Sequence, residues 1–154
     1  MATYELVYER RMVREGPDAE RIDKPGKAVR YFLDNCFTEG EMWREKAVAL
    51  FLDERKTPLG HFLVGVGDDT AVRISNKFVV KAALDSLSCG VILCHNHPSG
   101  DPKPGPGDNH ATDSLRRALG CLDIALIDHI VLGEKGYFSF HEEVECQYPR
   151  KRAR

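Results

Sequence analysis

A three-layer α/β sandwich, a mixed sheet flanked by helices, is the fold class this sequence predicts. Strand-like and helix-like segments alternate along the chain, the signature of an α/β domain. Two nearly unbroken apolar runs, Glu45–Asp53 and Ile124–Leu132, read as strands buried on both faces. A length of 154 residues supplies one full core and is short for two.

Taken in order, Tyr4 to Met12 alternates apolar and polar side chains and predicts a first strand. Glu15 to Lys24 contains Gly16-Pro17 and reads as a loop. Pro25 to Phe37 has helical spacing, with Val29, Phe32, Leu33 and Cys36 on one side and a proline acceptable in the first turn. Leu59 to Val66 is the expected hairpin partner of the Glu45–Asp53 strand, followed by a turn over Gly65 to Asp69. Ser75 is placed to cap a helix over Asn76 to Leu87, whose narrow polar stripe predicts that it is largely buried. Gly90 to Cys94 is a short apolar strand. Pro98 to Gly107, with four prolines and three glycines, is an irregular loop. A helix is expected over Asn109 to Leu119, its apolar face Ala111, Leu115, Ala118 and Leu119, with Gly120 ending it. Ile124–Leu132 and a short strand over Tyr137 to Phe140 complete the set.

Composition narrows the class. The chain is 42% hydrophobic and 30% charged, ordinary for a globular protein. A net charge of −2 excludes a whole-domain electrostatic footprint for nucleic acid. The opening residues lack a signal-peptide pattern, and no apolar run reaches membrane length. Five cysteines, an odd number with no CxxC pair, fit reduced thiols, so the cytoplasm is the expected setting.

The chemistry concentrates in His95-Asn96-His97-Pro98-Ser99-Gly100, with Asp108 following eleven residues after His97. Side chains alternate along a strand, so histidines at i and i+2 share a face. Two neutral imidazoles and a nearby carboxylate suit Zn²⁺ and leave a fourth position open, the arrangement of a catalytic zinc. The bland alternatives are two loop histidines making hydrogen bonds and an Asp108 that merely N-caps its helix. A zinc deaminase would need H-x-E and P-C-x-x-C, and an ordinary metalloprotease H-E-x-x-H; neither is present. The letters His-Asn-His do not make an HNH nuclease, whose name describes residues scattered over a ββα unit.

Together with Pro104 and Asp108, this motif resembles the RadC-type JAB/MPN metal-dependent hydrolases. Glu45 before Phe51-Leu52-Asp53, Ala83-Leu84, and Leu126-Ile127-Asp128-His129-Ile130-Val131 fit the same pattern. The resemblance covers about residues 40–142. It implies a fold related to cytidine deaminase, zinc held by His95, His97 and Asp108, and Glu45 as general acid/base. Members of known chemistry cleave peptide or isopeptide bonds, so a peptide or protein is the implied substrate; the RadC branch also carries a DNA-repair label. From the residues alone, Glu45 reads more readily as a solvated strand-end glutamate. The family places a serine eight residues after the second histidine; here that position is Gly105. The implied extent is one domain over 1–144, with 145–154 a disordered basic tail whose four terminal charges offer weak, salt-sensitive contacts to nucleic acid.

Other residues carry two readings each. Asp128-His129 is either a buried structural pair, the expected case, or a means of orienting a metal-bound imidazole. His61, His110 and His141 are expected to face solvent and Cys94 to lie in the core. Trp43 and Met42 are expected to be packing residues rather than the rim of a groove.

Overall fold

The computed structural model describes residues 20–38, 40, 42–67 and 73–149. The expected strand at Tyr4–Met12, much of the loop after it, the tip of the Gly65–Asp69 turn and the Arg150–Arg154 terminus lie outside those residues. The described elements are α1 (Pro25–Asn35), β1 (Lys46–Leu52), β2 (Pro58–Val66), α2 (Asn76–Asp85), β3 (Gly90–Asn96), α3 (Pro106–Gly120), β4 (Ala125–Leu132), β5 (Gly136–Ser139) and β6 (Val144–Gln147). The strands form one sheet in the order β2-β1-β3-β4-β5-β6, antiparallel throughout except for the parallel β3–β4 pair. α3 makes the crossover that a parallel pair requires.

The sheet separates two cores, because successive side chains of its central strands point to opposite faces. On one face Val48, Leu50, Leu52, Ile92, Cys94, Ile130 and Leu132 meet Ala28, Val29 and Phe32 of α1. On the other, Ala49, Phe51, Val91 and Leu93 meet Val79 and Ala83 of α2 and Leu115 and Leu119 of α3. This is the three-layer mixed α/β arrangement that the alternation of elements predicts. β1 is buried along its whole length after Lys46, and β3 along all of its own, as apolar runs covered on both faces should be. No helix among the described residues is long and apolar enough to cross a membrane.

Several elements depart from expectation for identifiable reasons. Helix α2 is not largely buried: only Val79 and Ala83 are, while Phe78 and Leu84 stand exposed. It leans on α3 and the edge strand β2, so one stripe is covered, Val80 and Ala82 are partly buried beside it, and Phe78 and Leu84 are left outside. Ser75 occupies its N-cap position, but the hydroxyl makes no capping bond. Helix α3 begins three residues early because Pro106, its φ already fixed near the helical value, takes the first turn. Gly120 consequently falls inside the last turn, with Cys121 as C-cap. The expected tail from 145 is overturned in its first residues: Val144–Gln147 pairs with β5 as a sixth strand. Gly136 permits this close approach, since a Cβ there would lie 2.3 Å from the Cys146 carbonyl oxygen. Tyr148 then fastens the end by donating to the Gly133 carbonyl at 2.5 Å.

Candidate metal centre

The sheet register assembles the site. Ala47 of β1 lies opposite His95 of β3 in an antiparallel pair, so two residues further on Glu45 comes opposite His97. Both strands direct these positions to the face covered by α2 and α3 (Ala49, Leu93 and Phe51 precede or follow them on that face). His97 lies just past the end of β3, where its N–H continues the ladder to the Leu132 carbonyl at 2.9 Å. Asp108 arrives from α3. It stands at the third position of that helix rather than at the N-cap, which is Gly105, and its Oδ2 accepts the Gly105 N–H at 2.7 Å. The loop from Pro98 to Gly105 is therefore closed by the same carboxylate that faces the histidines.

Glu45, His95, His97 and Asp108 each bring one potential ligand atom within 4.8 Å of all the others. His95 Nε2 lies 3.0 Å from His97 Nε2, 3.1 Å from Asp108 Oδ1 and 3.8 Å from Glu45 Oε1; Asp108 Oδ2 is 3.5 Å from His97 Nε2. His95 is fully buried and Glu45 nearly so, whereas His97 and Asp108 are partly open to solvent. Burial pushes the Asp108 carboxyl up, but the His95 and His97 imidazoles within hydrogen-bond reach outweigh it and hold the group well below the usual carboxylate range. The Asp108 carboxylate in turn raises the His97 imidazole, against burial and with help from the Asp101 carbonyl. That carbonyl, 2.8 Å from His97 Nδ1, can only accept, so Nδ1 carries the proton and Nε2 presents a lone pair to the cluster. Electron-pair donors directed at one another in this way, nitrogen from imidazole and oxygen from carboxylate, fit a divalent cation.

Behind this cluster, His95 Nδ1 lies 2.8 Å from His129 Nε2, and His129 Nδ1 lies 2.6 Å from the Thr112 hydroxyl. The expected structural pair Asp128-His129 is thus split between the two faces of the sheet. His129 turns toward the site. Asp128 turns away, accepting from Ser139 Oγ at 2.7 Å and from the backbone of His129 and His141 at 2.7 and 2.9 Å. Its burial raises the carboxyl's pKa against the pull of those donors. His61, His110 and His141 are exposed, and Cys94 is in the core, where burial raises its thiol. Met42 packs on the α1-side core, but Trp43 is 63% exposed, with the Arg44 guanidinium 4.4 Å from its ring centroid. Trp43 is therefore not the packing residue expected.

One contributor has no sequence signal beyond its place between two histidines. Asn96 points to the opposite face, fully buried, where Oδ1 accepts the Lys46 N–H at 2.9 Å. Its amide nitrogen donates to the carbonyls of Arg44 and Met42 at 3.0 and 3.2 Å. Asn96 thus pins the segment that carries Glu45 to the strand that carries the histidines. Asn96→Ala is expected to destabilise the fold by about 1–3 kcal/mol for each buried group left unpaired. Urea denaturation reads this directly, and an unchanged midpoint would mean that the clamp contributes nothing.

A family model described as RadC-like JAB domain matches residues 22–145. A UPF0758 protein of Thermotoga maritima is 34% identical over 126 residues, 82% of this chain and 55% of the relative. One from Stenotrophomonas maltophilia is 40% identical over 109 residues, 71% of this chain and 47% of the relative. One from Aquifex aeolicus is 37% identical over 112 residues, 73% and 47% respectively. The chain spans about half the length of the curated relatives it matches.

Proposed function

Because this chain belongs to the RadC-like JAB domain family, we propose that it is a zinc-dependent hydrolase that cleaves an amide or isopeptide bond in a peptide or protein, in the cytoplasm. The observation that carries this reading is the convergence of His95, His97 and Asp108 beside a buried glutamate at a rim that solvent reaches. His95 Nε2, His97 Nε2 and an Asp108 oxygen would hold the ion, three protein ligands being the usual number for a catalytic zinc. Zinc held there would supply a nucleophile at neutral pH, since it can lower the pKa of water from about 15.7 to about 7. Glu45 takes the proton released and delivers it to the departing amine. The substrate's reacting carbonyl approaches from the side of His97 and Asp108, the two ligands that are not fully buried.

Gly105 favours a second reading, a JAB-fold module without turnover that serves DNA maintenance or mobile elements by binding. The family serine at this position helps stabilise the oxyanion, and here the hydroxyl is missing while the Gly105 N–H is committed to Asp108. One substitution separates the two. Gly105 has an extended backbone conformation, φ −88° and ψ 174°, that any residue adopts. A Cβ would make only ordinary contact, 3.6 Å from Asp108 Oδ2. Serine therefore fits, and is a preferred N-cap as well. Zinc-loaded wild type and Gly105→Ser are compared on a library of peptide and isopeptide substrates. Slow cleavage by the wild type, raised about 10²–10³-fold in kcat by the serine, is expected, the usual value of one oxyanion donor. No product from either protein would instead favour the binding module, with salt-dependent affinity for DNA as its mark.

A further inference from the structure

We infer that His129 is a positioning residue of the metal centre: with Thr112 it fixes which nitrogen of His95 faces the ligand cluster, and it links His95 to the backbone of Asp108 through a chain of hydrogen bonds. This rests on the metal reading above and extends it to residues that touch no ligand position themselves.

Proton placement follows from the partners one after another. Thr112 Oγ1 lies 2.6 Å from the Asp108 carbonyl oxygen, which can only accept, so the hydroxyl proton is committed there. Toward His129 Nδ1, also 2.6 Å away, the hydroxyl must then accept, and Nδ1 carries the proton. A protonated, charged His129 is excluded by its surroundings. Its ring is fully buried, it stacks on Phe140 with centroids 4.8 Å apart and planes 8° from parallel, and neither nitrogen has a carboxylate partner. An unpaired buried imidazolium would be costly. The ring is therefore neutral and its Nε2 is a lone pair that accepts from His95 Nδ1–H at 2.8 Å. The other nitrogen of His95, Nε2, is thereby turned to the cluster.

His95 Nε2 is 3.1 Å from Asp108 Oδ1, and the backbone of the same aspartate holds Thr112. His129 of β4 thus joins His95 of β3 to the first turns of α3, the helix that carries Asp108, so the His95 ring cannot turn without giving up its bond to His129. Phe140 is itself held, its N–H donating to the His129 carbonyl at 3.0 Å. The corner on either side of it is pinned by Asp128 through Ser139 and His141. A metal-bound histidine usually leans on a carboxylate, carbonyl or water, and loss of such a partner weakens metal binding about 10–100-fold. Here the partner is a neutral imidazole, which orients His95 without adding negative charge beside the ion.

The test measures zinc affinity by chelator competition on the full chain, together with ring-nitrogen protonation by long-range proton–nitrogen NMR. His129→Leu is expected to weaken zinc binding about 10–100-fold. His129→Gln, whose amide oxygen can take the acceptor place of Nε2, is expected to recover most of that loss. Spectra of the wild type should show the proton on Nδ1 of both His95 and His129, with and without zinc. A folded His129→Leu protein that binds zinc as the wild type does would overturn the inference while leaving the metal reading standing. A wild type that takes up no zinc defeats the metal reading instead. Should His129→Leu fail to fold, Thr112→Val and the NMR assignment decide: a His129 protonated on Nε2 rules the relay out.

Discussion

Replacing His95 or Asp108 by alanine is expected to change zinc content from stoichiometric to negligible after reconstitution, and hydrolysis with it. The two side chains come from different elements and meet at 3.1 Å, so each removal leaves a pair of donors where a catalytic zinc needs three. Side effects differ in a way that serves as control. Asp108→Ala also removes an acceptor from the first turn of α3, where its Oδ2 takes the Gly105 N–H. A carboxylate near a helix N-terminus contributes about 0.3–1 kcal/mol, so the protein should remain folded with a slightly lower melting point. His95→Ala opens a hole in a fully buried position and leaves His129 Nε2 without its donor. Its stability loss should be the larger of the two. Elemental analysis settles the question: stoichiometric zinc in either variant would remove that residue from the ligand set.

Glu45→Gln is expected to leave zinc content unchanged and to lower kcat about 10²–10⁴-fold, the range for one positioned acid/base group. The amide keeps the side chain's size and one acceptor oxygen, so the 3.8 Å spacing to His95 and the clamp by Asn96 should persist. What disappears is the capacity to take and return a proton. Little change in KM is expected, because that role is felt in the transition state. Equal product from both proteins would remove Glu45 from the mechanism, and loss of zinc would show that it acts as a ligand instead.

The parts of the fold that burial dictates were legible from the chain. β1, β3 and β4 announce themselves as apolar runs because both faces of each are covered, and period two alone puts His95 and His97 on one side. Quantities set by distant partners were not legible. The apolar residues of α2 predict burial, but no local pattern tells that Phe78 and Leu84 stay about half exposed. β6 spans four residues and exists through its pairing with β5. Asp128 and His129 read as a pair, but the register shift between Val91 and Ile92 against β4 fixes which of them faces α3. Asn96 reads as a spacer, although its bonds reach 50 to 54 residues back along the chain. The position of Asp108 within its helix depended on where Pro106 lets α3 begin.

Trp43, solvent-facing and two residues from Glu45, is the single tryptophan of the chain. Its indole sits on the backbone stretch that Asn96 clamps, beneath a guanidinium that stacks on it. The molecule thus carries its own optical reporter. Intrinsic fluorescence, excited selectively at the indole, will register a tryptophan-free polypeptide that settles against residues 42–44, without a dye or label.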